Sequence, residues 1–341
     1  MVGILYALAS AALFGASAPF AKILLGDASP WLLAGLLYLG SGLGLGAARL
    51  VWRGKEARLG KADLPWLAAA IFAGGICGPV LLMFGLAAST ASAAALLLNL
   101  ESVLTLGIAW VVFKEYVDLR LGIGAAAIVL GAIVLSWPGG GDLPLGWGPL
   151  LIAGACLAWA IDNNLTRKVS AADPSQIAML KGLVAGAVNV AIAFALGASL
   201  PAAGTVASAA VVGFLGYGVS LSLFILALRH LGTARTGAYY SLAPFIGAAI
   251  AIPLLSEPVT IPFLAGGALM AVGLWLHLTE RHGHQHVHEP LEHDHLHVHD
   301  EHHQHDHSGE PVTEPHAHPH RHGRLAHKHA HYPDLHHRHS H

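Results

Sequence analysis

The sequence predicts an all-α membrane protein: ten transmembrane helices arranged as two inverted five-helix repeats. Three observations carry the prediction. Charge is scarce and concentrated at one end, apolar runs of bilayer length follow one another, and lysine and arginine crowd every second link.

Of the 341 residues, 55% are hydrophobic and 11% charged, against about 25% charged in soluble domains. Nearly all the polarity lies beyond Glu280. A chain so poor in charge cannot cover a water-facing surface, which excludes an ordinary soluble domain. The 40 glycines fit helices that approach closely in lipid. Cys77 and Cys156 each stand inside an apolar run, so neither a disulfide framework nor a CxxC site is available. The first apolar stretch begins at Val2 without a charged leader and reads as a span, not a cleaved signal.

A helix crossing about 30 Å of hydrocarbon needs roughly 20 residues. Cutting at charges, prolines and glycine clusters gives Val2–Leu24, Trp31–Trp52, Leu64–Ala87, Thr90–Phe113 and Leu119–Trp137. The second set is Gly146–Thr166, Pro174–Gly197, Thr205–Leu228, Ala234–Leu255 and Ile261–Thr279. The expected organisation is therefore a first repeat over 2–137, a second over 146–279, and a disordered histidine-rich tail over 280–341.

Orientation follows from the positive residues. Arg49, Arg53, Lys55, Arg58 and Lys61 crowd the link after span two; Lys114 and Arg120, Arg167 and Lys168, and Arg229 and Arg235 mark the later even-numbered junctions. The alternate links carry almost none, and only Lys22 and Lys181 depart from the pattern. The expected location is a multi-pass protein of the inner (plasma) membrane with both termini cytoplasmic.

The halves also resemble each other. Lys114-Glu115-Tyr116-Val117 aligns with Ser256-Glu257-Pro258-Val259, each after a small-residue helix and before a glycine-rich one. Ala12-Leu13-Phe14 aligns with Leu157-Ala158-Trp159. Five spans per half require the second half to sit upside down, an arrangement common among alternating-access transporters. With Tyr239-Tyr240-Ser241-Leu242-Ala243-Pro244-Phe245 and Leu255-Ser256-Glu257, this pattern resembles the drug/metabolite transporter superfamily, and within it the EamA-type permeases. The resemblance covers residues 2 to 279 and implies ten helices, a central substrate cavity and small-metabolite transport, often export. Where the family commonly has proline in the first repeat this chain has Glu101; the matching position of the second repeat is Pro244.

An ionisable group at membrane depth costs about 2.5–3.5 kcal/mol on insertion scales and is rarely idle. Glu101, about 11 residues into span four, lies near the bilayer centre, roughly 17 Å along at 1.5 Å per residue. With Asn99 and Ser102 beside it, it is the first candidate for a proton acceptor or cation ligand; a structural carboxyl is the alternative. Asp162, Asn163 and Asn164 form a second polar cluster, in which Asp162 and Thr166 share a helix face. It serves either solute coordination or pairing with Arg167 or Lys168. Lys181 either snorkels to the cytoplasm or pairs with Glu101 or Asp162. Tyr239, Tyr240, Tyr217 and Trp159 are candidates for the lining, and Glu115 and Glu257 for capping or gating.

Of the 25 histidines only His230 and His277 precede the tail. There His284, His286, His288, His293, His295, His297, His299, His302, His303, His305 and His307 alternate with Asp, Glu and small residues. Alternating imidazoles suit Zn, Ni, Co or Cu, and their dispersal from His282 to His341 argues against an added affinity tag. No cofactor is required. Expected partners are the bilayer, a small-molecule solute and divalent metals at the tail, without nucleic acid; a homodimer stays open.

The leading expectation is a proton-coupled secondary transporter, probable direction outward in keeping with the resemblance, for a small metabolite or amino-acid-like solute. The alternatives are a divalent-metal transporter and a non-transporting membrane metal sensor. An enzyme is not expected: the chain has no nucleotide-binding loop, no His-Glu-x-x-His site and no nucleophile–base pair in the spans.

Overall fold

A computed structural model describes residues 2–51, 59–113, 119–137, 146–166, 169, 173–224, 226–227, 236 and 239–279, with tail segments 283–288, 292–297, 316–321 and 325–330. Lys114, Glu115, Arg167, Lys168, His230, His299, His302, His303, His305 and His307 lie outside the described residues.

Every described element before residue 280 is helical. The first half begins with α1 (Val2–Leu24) and α2 (Pro30–Val51). Its third span runs as α3 (Leu64–Ala70), a π-helical turn at Ile71–Cys77 and α4 (Gly78–Ala87). The fourth is broken into α5 (Ala91–Leu97) and α6 (Leu100–Phe113), with Leu98 and Asn99 in the turn between. α7 (Leu119–Ser136) completes the half.

The second half repeats these irregularities. α8 (Trp147–Thr166) and α9 (Pro174–Ala195) precede α10 (Ala203–Gly213), which runs into a π-helical turn at Phe214–Val219. Ser241 and Leu242 turn before α11 (Ala243–Leu255), and α12 (Ile261–Leu278) closes the bundle. The third helix of each half thus carries a π turn and the fourth a break. Both features free backbone carbonyls from the ordinary ladder, and π turns gather at functional sites.

Eight helices among the described residues are long and apolar enough to cross a membrane. The helices of predicted spans six and nine make up ten. α8 is 20 residues long, and its Asp162-Asn163-Asn164 run lowers its apolarity; the described helix of span nine is 13 residues.

Contacts follow an inverted symmetry. α2 packs on α9 and α7 on α12, each pairing equivalent helices of the two halves. α1 packs on α11 and the second π turn, while α8 packs on α6 and the first π turn. At the α2–α9 crossing a Cβ on Gly182 would stand 2.7 Å from the Gly42 nitrogen, so the backbones meet only because both positions lack side chains.

The main core gathers the end of α1, the start of α2, α4, α5 and the first part of α8, including Leu33, Leu37, Met83, Leu86, Leu97 and Ile152. A smaller cluster of Leu67, Ile71, Val169, Ile177 and Ala185 lies toward the other end. The half containing the turn between spans three and four is the tightly filled one.

Four short segments of the tail are described. β1 (Gly283–His288) pairs antiparallel with β4 (Leu325–Ala330), and β2 (Glu292–His297) with β3 (His316–Arg321). The physical reason is the period of the histidines: His-x-His repeats every two residues, the period of a strand. In register, His284 stands opposite His329, His286 opposite His327, His293 opposite His320, His295 opposite His318 and His297 opposite His316.

Candidate functional site

The break in span four places Glu101 in the first turn of α6, where unpaired N–H groups favour a negative side chain. Two groups seal the other side of the break. Asn99, 5% exposed, donates from Nδ2 to the Leu96 carbonyl at 2.8 Å, and the buried Cys156 thiol lies 3.7 Å from the Leu97 carbonyl. Asn99 therefore closes the helix end. Ser102 donates to the Asn99 carbonyl at 2.8 Å.

Glu101 is half-buried, and its Oε1 accepts from Asn163 Nδ2 of α8 at 2.8 Å. Asn163 is exposed, whereas its neighbours Asp162 and Asn164 are buried. Successive helical side chains point about a third of a turn apart, so the three-residue run divides its labour. Asn164 donates to the Ala160 carbonyl within its own helix at 2.8 Å.

Asp162 joins Lys181 of α9. The ammonium lies 2.7 Å from Oδ1 and 2.6 Å from Oδ2, and Thr166 donates to Oδ1 at 2.8 Å. Lys181 is thus the partner of Asp162, not a snorkelling residue. A buried ion pair repays its desolvation only with good geometry and further hydrogen bonds; here both carboxylate oxygens are engaged.

That pair rests on the first π turn. A Cβ at Gly74 would stand 2.0 Å from Asp162 Oδ2, so only glycine admits the carboxylate against this backbone. The Gly74 carbonyl accepts from Tyr38 Oη at 3.0 Å and Trp159 Nε1 at 2.9 Å. The equivalent place in the second half is plainer: a Cβ at Gly216 would meet the Ser17 Cβ at 2.7 Å, and Ser10 and Ser220 exchange hydroxyl-to-carbonyl bonds of 2.7 and 2.9 Å. The fold is symmetric; its charge is not.

A chain of rings crosses the site. Tyr38 and Tyr217 have centroids 5.6 Å apart, Phe14 lies 5.9 Å from Tyr217 and 5.6 Å from Tyr240, and Phe224 lies 4.7 Å from Tyr240. Tyr38 ties this chain to the first π turn through the Gly74 carbonyl. Tyr239 is half-buried beside Tyr240 and has no part in this chain.

Away from the centre, the packed half is tied by charges at helix ends. Lys22 donates to the carbonyls of Leu86 at 2.6 Å, Ala87 at 3.2 Å and Ser89 at 2.8 Å, which explains a lysine at a face otherwise poor in them. Glu257 accepts from the Ala91 and Ser92 amides at 2.6 and 2.8 Å and caps α5. Ser256, left-handed at φ 53°, turns the chain to bring it there.

A family model for EamA-like transporters matches residues 1–137 and 146–279. The chain belongs to the EamA-like transporter family. It is 28% identical over 282 residues to an uncharacterized transporter of Methanothermobacter thermautotrophicus (strain Delta H), covering 77% of this chain and 82% of the relative. A crystal structure superposes with a TM-score of 0.60 at 17% identity, over 81% of this chain and 95% of its own, a likeness that concerns the fold.

For an EamA-like transporter, several residues of this centre escape sequence reading. Gly74 looks like one glycine among 40; only the π turn makes its carbonyl a hub. Phe14 entered the repeat alignment but signalled no lining role, and Tyr38 and Phe224 gave no signal at all.

Proposed function

We propose that this membrane protein is a proton-coupled secondary transporter of a small metabolite or amino-acid-like solute, working as an exporter by alternating access. The single observation that carries the reading is the Glu101–Asn163 contact at a mid-span helix break. Discontinuous helices at the midplane present helix ends and side chains to solutes in many transporters. A carboxyl in that setting can exchange a proton because carrying its charge out of water is costly.

Orientation by positive residues puts both termini in the cytoplasm of a cell whose inner membrane holds the protein. The filled half, tied by Lys22 and Glu257, is then the outer one. In that orientation Asn163, which is exposed, lies in the cytoplasmic half of its span.

The experiment is a pH-gradient assay in reconstituted vesicles over a panel of small amines and amino acids. The wild-type chain should dissipate an imposed gradient when its solute is added. Glu101→Gln, inserted at an equal level, should not. Full coupled transport by that variant would discard the reading.

A second reading concerns the tail, whose alternating histidines favour binding of Zn, Ni, Co or Cu. This makes the tail a metal buffer or sensor. Metal as cargo ranks below it, since among the described residues no three His, Cys, Asp or Glu side chains converge on one ion site.

A further inference from the structure

We propose that the solute is an organic monocation: an amine whose ammonium rests on Glu101 and Asn163 while an apolar or aromatic body lies along the ring chain. This rests on the transporter reading and narrows it to a substrate class.

Among the described residues, each lysine or arginine within a transmembrane helix is already engaged. Lys22 holds three carbonyls, Arg49 pairs with Asp173, Arg120 meets Thr279 and the Trp275 ring, and Lys181 is held by both oxygens of Asp162. Lys61, in the turn before α3, is exposed. A ligand carboxylate would find each of the described cations within the helices already partnered, and would sit beside Glu101. Like charges a few ångströms apart repel strongly where water is scarce.

An ammonium meets the opposite conditions. Asn163 donates to Glu101 through Nδ2; its Oδ1 is by nature an acceptor, and so is the Glu101 carboxylate. An ammonium has three donors to divide between them. Tyr38 donates to the Gly74 carbonyl, against whose residue Asp162 packs, and the negative face of an aromatic ring attracts a cation. Phe14, linking Tyr217 and Tyr240, supplies apolar surface for the rest of the molecule.

The test uses the full chain in lipid nanodiscs and three ligands of one shape: phenethylamine, phenylalanine and 3-phenylpropionate. Calorimetry should find phenethylamine bound at least tenfold tighter than either of the others, and Glu101→Gln should lose at least tenfold for the amine. The ligand series on the wild-type chain decides the matter even if that variant fails to fold. Comparable binding of phenylalanine or 3-phenylpropionate, or no binding of the amine, would overturn the proposal. Flux in vesicles separates the two readings. Amine bound at Glu101 but never moved would sink transport and keep the cation site; phenylalanine bound and moved in its place would do the reverse.

Discussion

Lys181→Met is the most informative single perturbation of the centre. It removes the ammonium 2.6 and 2.7 Å from the Asp162 oxygens and leaves a carboxylate only 5% exposed with the Thr166 hydroxyl as its described donor. At these distances and an effective dielectric near 20, the attraction is about 6 kcal/mol before desolvation. Removing one partner of a buried pair costs about 3–5 kcal/mol, and that range is the expected loss. Asp162→Asn should cost less, about 1–3 kcal/mol, because the Lys181 side chain is 18% exposed and can reach toward water. The double variant should fall well short of the sum, with a coupling of about 2–3 kcal/mol. Reversible unfolding in mixed micelles, followed by circular dichroism, measures all four corners of the cycle. Additivity to within about 0.5 kcal/mol, the behaviour of independent sites, would refute the pairing.

Gly74→Ala places a methyl 2.0 Å from Asp162 Oδ2; we expect about 1–3 kcal/mol of destabilisation and slower transport, read by unfolding and vesicle flux. Lys22→Met deprives the Leu86, Ala87 and Ser89 carbonyls of their donor, a loss on the order of 2 kcal/mol, with partial recovery in Lys22→Arg by the same unfolding assay. Deleting residues 280–341 should abolish stoichiometric binding of Zn or Ni, measured by equilibrium dialysis, while leaving solute flux intact; unchanged metal binding would remove the tail from the account.

The spans were legible because lipid leaves so few options: an apolar run of bilayer length must be a helix. Glu101 was legible for the same reason, since the cost of a carboxyl at that depth shows in one sequence. The Asp162–Thr166 contact followed from helical spacing. What was not legible depends on the second partner. Lys181 could be placed on α9 but its mate could not be chosen, because the answer lies in the glycine contact between the first π turn and α8. The bond from Asn99 to Leu96 was not legible, because the helix break that uses this amide leaves no signature in a run of Ala and Leu. The rings of Phe14, Tyr38 and Phe224 read as packing until the fold set them in line.

Alternating access, as proposed, requires a central chamber that meets one side of the membrane at a time. Asn163→Cys, in a chain carrying Cys77→Ala and Cys156→Ser, can be probed with a membrane-impermeant maleimide in vesicles of both orientations. Labelling from the cytoplasmic side at rest, shifting to the outer side under an imposed gradient of transported solute, is the predicted result. Equal labelling from both sides together, or none from either under any gradient, would contradict it.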